Sequence, residues 1–190
     1  MGKIILASSS PRRSDIMKKS GYKFRVIPSP YKEDNTAADF SYEFIENLAY
    51  LKAKAAAEII NEPALVIGAD TLVVLEGRIL CKPENEAGAC EMLRKLSGKT
   101  HAVITAIAVI DNGSVRKNST TSHVTFENLT EEQIQSYVKK YKPLDKAGAY
   151  GIQEMPEGYI KSYEGSLENI IGLCPKALAK VIKRYRGPAF

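Results

Sequence analysis

The chain has 190 residues, 44% of them hydrophobic, which suits one domain with a sizeable core and argues against disorder. Lys plus Arg number 27 and Asp plus Glu 22, a net +5 that fits an anionic small ligand and weak nucleic-acid attraction equally well. No run of about 20 apolar residues is present to span a membrane, and the three cysteines (Cys81, Cys90 and Cys174) show no zinc-ligand spacing.

In chain order, Lys3 to Ala7 reads as a short buried strand, too short for a signal peptide. With few, scattered cysteines, this makes a reduced, cytoplasmic setting the expectation. A helix follows from Pro11 to about Ser20, closed by Gly21. Tyr22 to Ile27 alternates like a strand, and Pro28-Ser29-Pro30 opens a polar loop to Asp39. Ser41 to Ile60 reads as a long helix with Leu48, Leu51 and Ala55 on one face. Ala64 to Gly68 predicts a short strand, and Thr71 to Leu80 a hairpin turning at Glu76-Gly77. A helix over Asn85 to Leu96 leads to two long strands, Thr100 to Ile110 and Val115 to Phe126, around the hairpin signal Asn112-Gly113. Thr130 to Gln133 is a capping box that starts a helix to about Tyr141. A tight loop over Gly148 to Gly151, a strand over Tyr159 to Tyr163 and a helix over Pro175 to Tyr185 complete the chain. Interleaved strands and helices with antiparallel hairpins predict an α/β fold with a mixed sheet, and residues 1–190 read as a single domain.

Several segments carry chemistry. In Ser8-Ser9-Ser10-Pro11-Arg12-Arg13, Ser10 is a good N-cap and Pro11 a good first helical residue. Arg12 and Arg13 then lie at the positive end of the helix dipole, each costing about 0.3–1 kcal/mol unless an anion docks there. The alternative is that they splay into solvent or pair with acids such as Asp15. Val66 to Thr71 predicts a strand that delivers Asp70 and Thr71 at its end, where ligands bind in α/β sheets. Asp70 suits a metal ion or activation of water; an Asp that only makes a turn is the plain alternative. Lys82 suits phosphate contact as a point charge. Glu33, in the polar loop with Asp34, would join Asp70 in a hard oxygen site for Mg²⁺. Gln153, in Asp145 to Gln153, carries a donor and an acceptor fit to read a base edge. His101 and His123 lie in strand segments and read as strand residues rather than ligands.

Taken in order, Leu6 to Arg13, Gly68 to Thr71, Lys82-Pro83, Leu96-Ser97-Gly98 with His101 and Thr105, Asp145 to Gln153, and Gly172-Leu173 resemble the Maf family of nucleotide pyrophosphatases along almost the whole chain. The resemblance implies cleavage of a nucleoside triphosphate between its α- and β-phosphates. It implies an elongated, strongly twisted mixed sheet flanked by helices around a central cleft, similar to inosine triphosphate pyrophosphatases. It also implies a divalent cation, Mg²⁺ or Mn²⁺, and a homodimer. By the same resemblance, Asp70 is the proton acceptor, Glu33 and Lys82 assist catalysis, and Glu33 and Asp70 hold the metal. Ser8, Arg12, Arg13, Lys52 and Lys82 face phosphate, and Arg12, Thr71 and Gln153 mark the dTTP/UTP subgroup. The chain departs from the family pattern at Asp34 beside Glu33, at Cys81 before Lys82, at Glu154 after Gln153 and at Cys174. Two alternatives stand beside this reading. One is another nucleotide substrate, such as CTP or 7-methyl-GTP. The other is a nucleic-acid or cell-division partner bound without catalysis through Arg12, Arg13 and the tail Lys183-Arg184-Tyr185-Arg186, which would leave Glu33 and Asp70 without a task.

Overall fold

The structure is a computed structural model that describes residues 3–32 and 40–186, the last three by backbone alone. The chain runs β1 (Lys3–Leu6), α1 (Pro11–Lys19), β2 (Arg25–Val26), α2 (Tyr42–Ala57), β3 (Ala64–Leu75), β4 (Arg78–Leu80), α3 (Glu86–Leu96), β5 (Thr100–Asp111), β6 (Ser114–Phe126), α4 (Glu131–Tyr141), β7 (Ile160–Glu164), α5 (Leu167–Ile171) and α6 (Pro175–Arg186). Two 3₁₀ turns, Ala147–Ala149 and Ile152–Glu154, lie between α4 and β7. The strands form one mixed sheet in the order β2-β1-β3-β5-β6-β7. β1 is parallel to β2 and β3, and the remaining pairs are antiparallel.

Most boundaries follow from local chemistry. Ser10 accepts from the backbone N–H of Arg13 and starts α1. Thr130 and Gln133 cap α4 reciprocally. Asn112 and Gly113 both take positive φ, which the tight β5–β6 turn requires. Three predicted features differ. The strand expected from Tyr22 to Ile27 shrinks to Arg25–Val26, which pair with Ile5 and Leu6 of β1, while the Tyr22 N–H is taken by the Met17 carbonyl at the end of α1. α5 was not predicted; its five residues are too few to show periodicity. The break expected after Gly68 is absent. β3 runs on to Leu75 because β5 pairs with it continuously, from Val66 opposite Ile110 to Val74 opposite Ala102.

The sheet separates three apolar clusters. On one face α2 covers Val66, Leu72, Val74, Ile104 and Ala106. On the other, α1 and α6 cover Ile67, Ala69, Ile107 and Val109 at one end. At its other end α3 and α4 cover Val73, Val103, Val124 and Phe126. Thr71 and Thr105, paired across β3 and β5, fall in the seam between these two clusters.

Candidate active site

β3 has an interrupted edge. β5 occupies one side of it. On the other side β1 pairs along Ala64–Ile67 and β4 along Val73–Leu75, and no strand among the described residues pairs with residues 68–72 there. A cleft of about 400 Å³ opens over this gap, a size ordinary for a small-molecule site. Successive strand residues point to opposite faces. At an open edge both faces are within reach, so Asp70 from the α2 face and Thr71 from the other line one cleft. This corrects the expectation for Asp70: it lies mid-strand, where a neighbouring strand stops, and not at a strand end.

Asp70 is buried, and its charge is matched. Lys52 Nζ donates to Asp70 Oδ1 at 2.6 Å, and Arg13 Nη2 lies 3.9 Å from the same oxygen. An isolated carboxylate is costly to bury, and paired cations offset that cost. Lys52 reaches Asp70 because α2 packs tightly on β3. A Cβ on Gly68 would stand 2.2 Å from the Ala49 carbonyl oxygen and 2.6 Å from the Ala53 nitrogen. The buried stripe of α2 is Ile45, Leu48, Ala49, Lys52, Ala53 and Ala56, with Lys52 at its centre. Leu51 and Ala55, expected on that face, flank it instead.

Arg13 is fastened at several points. Its Nη1 donates to Ser8 Oγ (3.2 Å), its Nη2 to Thr71 Oγ1 (3.1 Å) and its Nε to the Gly172 carbonyl (3.0 Å). Ser8 Oγ also accepts from the Ser10 N–H at 3.2 Å. With both lone pairs engaged, the Ser8 hydroxyl has its proton left to give, which suits a phosphate oxygen. Arg12 Nη1 donates to Asp145 Oδ2 at 3.2 Å, across the cleft. Asp15 pairs with Lys18 rather than with either arginine.

The remaining wall comes from the segment after α4. Lys146 is buried, with Nζ 2.8 Å from Asp145 Oδ1 and 3.2 Å from Glu154 Oε2. Burial alone would raise the Asp145 pKa, but Lys146 and Arg12 outweigh it and hold the carboxyl below its ordinary value. Tyr150 is buried against His101, its hydroxyl 2.7 Å from His101 Nε2. Burial pushes the tyrosine up and the histidine down to about 4. His101 is thus a neutral core residue of β5; its place in a strand was predicted, its burial was not.

Ser8, Arg12, Arg13, Lys52, Asp70, Thr71, Lys82 and Gln153 all line this cleft. Glu33 and Asp34 lie outside the described residues, as do the side chains of Arg184 and Arg186. Sequence reasoning included Gly172 and the segment Asp145 to Gln153 among its motifs but gave no role to the Gly172 carbonyl or to the Asp145–Lys146 pair. Gly172 holds φ 138°, a conformation that favours glycine, so the glycine itself was the available signal. Glu154 was seen only as a departure, and it is a partner of buried Lys146.

A match to the family described as Maf-like protein covers residues 3–185. The chain belongs to the Maf family. Relatives from Bacillus cereus strain AH820 and Bacillus thuringiensis subsp. konkukian, each named dTTP/UTP pyrophosphatase, are 43% identical over 97% of this chain and 96% of their own length. Among solved structures, a HAM1 protein from Coxiella burnetii aligns with a TM-score of 0.52 at 17% identity, over 97% of this chain and 100% of its own. The Ham1 protein of Staphylococcus aureus gives 0.50 at 18% identity, over 97% of both chains. At those identities the likeness is one of fold, and it bears out the α/β architecture expected for a Maf protein. No helix among the described residues is long and apolar enough to cross a membrane.

Proposed function

We propose that this Maf protein is a nucleoside triphosphate pyrophosphatase acting on dTTP and UTP, releasing the monophosphate and pyrophosphate. One observation carries the reading: a buried carboxylate, Asp70, braced by Lys52 and Arg13 in a cleft whose other charges are mostly basic. Five basic side chains and two carboxylates line that cleft, which favours a polyanion small enough to enter it. The names of relatives 43% identical over nearly the full chain point to the same chemistry.

In this reading Asp70 accepts a proton from the attacking water. Both bracing cations meet Oδ1, which leaves Oδ2 to face the water. Arg12, Arg13 and Lys82 neutralise charge developing on the phosphates, and Ser8 donates to a phosphate oxygen. Thr71 and Gln153 meet the nucleoside. The described residues also fit a divalent cation of the Mg²⁺ kind. No group of three or more His, Cys, Asp or Glu side chains gathers among them, but such ions are commonly held by one or two carboxylates plus substrate phosphates. Asp70 would hold it, a role that competes with proton acceptance for the same Oδ2, with Glu33 as the sequence-based second ligand. When bound, the ion supplies charge neutralisation and a more acidic water.

Pyrophosphate release measured across dTTP, UTP, CTP, ITP and 7-methyl-GTP, with Mg²⁺ and with Mn²⁺, tests the assignment. dTTP and UTP are expected to lead. Asp70→Asn should lower kcat by about a thousandfold or more while the circular dichroism spectrum is kept. Near-normal dTTP turnover in that variant would remove Asp70 from the mechanism.

A further inference from the structure

A chain of buried hydroxyls runs from Thr71 into the core, and its direction is set by counting protons. The Thr105 hydroxyl donates to the Asn169 carbonyl at 2.9 Å. A carbonyl only accepts, so the single Thr105 proton is spent there. Thr71 Oγ1 and Thr105 Oγ1 are 2.9 Å apart, a direct cross-strand pair of β3 and β5. Thr71 must therefore be the donor of that pair, and its own proton is spent too. One lone pair of Thr71 already accepts from Arg13 Nη2. What remains for the cleft is the second lone pair.

The far end of this chain is firmly held. Asn169 is fully buried, and its Nδ2 donates to the Val103 carbonyl (3.1 Å) and to Ser122 Oγ (3.0 Å). Its backbone N–H is taken by Ser166 Oγ. Thr105 is only 1% exposed and lines no part of the cleft, so it reaches a ligand through Thr71 alone.

The geometry points to Thr105 as a positioning residue that makes Thr71 an acceptor-only contact, selecting a hydrogen-bond donor on the nucleoside part of the substrate. The inference rests on the nucleotide reading above. Ionised phosphate oxygens accept and do not donate, so a hydroxyl without a free proton has nothing to offer them. Ser8 and Thr71 are bridged by the two Nη atoms of one guanidinium and show opposite polarity. Ser8 presents a proton, suited to phosphate, and Thr71 presents a lone pair, suited to an N–H or O–H. The donors that dTTP and UTP share are the pyrimidine N3–H and the sugar 3′-hydroxyl; the 2′-hydroxyl of UTP has no counterpart in dTTP.

Two analogues separate these sources. 5-Methyl-dCTP lacks the N3–H, and 2′,3′-dideoxy-TTP lacks the 3′-hydroxyl. With the wild-type protein, kcat/KM for one of them should fall about tenfold or more below that for dTTP. In Thr105→Val the Thr71 proton is released to turn toward the cleft, and the gap should narrow at least about threefold. Thr105→Ser, which keeps the hydroxyl, should restore it; lost packing alone would not show that pattern. Thr105→Ala replaces the valine variant if that does not fold. An unchanged gap in the hydroxyl-free variant, or no recovery with serine, overturns the inference and leaves the assigned activity standing. A wild-type penalty on neither analogue means that the lone pair holds a water, and also overturns it. Wild-type protein that releases no pyrophosphate from dTTP overturns the parent reading as well.

Discussion

At Lys52 a charged side chain occupies the centre of an otherwise apolar helix stripe. The sequence reading put Leu48, Leu51 and Ala55 on that face and reached Lys52 only through the family resemblance; a lysine spaced to join an apolar stripe is rarely buried without a partner. The partner, Asp70, was legible as a candidate, but the contact between them was not, since 18 residues and a loop separate the two. His101 shows the same limit. Its strand position was readable, whereas its burial against Tyr150 and Phe126 depends on segments far along the chain. That burial has a pH consequence. The unfolded histidine takes its proton near its ordinary value of 6.5, and the folded one only near 4. Acid therefore favours the unfolded chain. The contribution is fully present above about pH 6.5 and is lost as pH falls toward 4. Between about pH 7.5 and pH 5 the wild type should lose about 2 kcal/mol more than His101→Gln, which lacks the titrating ring. Urea denaturation of both proteins at the two pH values checks this; equal losses would count against a neutral, desolvated His101.

At the scale of elements, the caps and turns were legible because they are local. Ser10, Thr130 with Gln133, and Asn112-Gly113 act within four residues of themselves. The course of β3 was not. Gly68 reads as a strand breaker, yet it stands where the backbone of α2 must approach most closely. Gly68→Ala should displace α2 by the bulk of one methyl group and cost about 1–3 kcal/mol. Because Lys52 rides on the displaced helix, kcat should fall as well, though no functional side chain is removed. Thermal denaturation and steady-state kinetics on that variant measure both effects. Stability lost with kcat intact would uncouple the Lys52–Asp70 contact from catalysis.

For the whole molecule, the cleft gathers charge from distant parts of the chain: Arg12 and Arg13 on α1, Lys52 on α2, Lys82 after β4 and Lys146 after α4. Attraction by partly exposed cations is screened by salt, and the buried Lys52–Asp70 pair is screened much less. KM for dTTP is expected to rise about three- to tenfold between about 50 and 300 mM KCl, with kcat changing less. Initial rates over that range decide it, and a salt-independent KM would argue against charge-driven capture. By itself the sequence determined the fold class, most element boundaries and, with the family resemblance, eight side chains of the cleft: Ser8, Arg12, Arg13, Lys52, Asp70, Thr71, Lys82 and Gln153. These follow from periodicity, capping and residue chemistry, and from motifs kept in order along the chain. Only the tertiary structure decided that Asp70 enters the cleft from mid-strand. β1 ends and β4 begins on the same edge of β3, and the gap between them is a property of pairing, not of any one segment. The polarity of Thr71 was decided in the same way. A hydroxyl carries one proton, and where it goes depends on Thr105 and Asn169, brought beside it only when the sheet and α5 assemble.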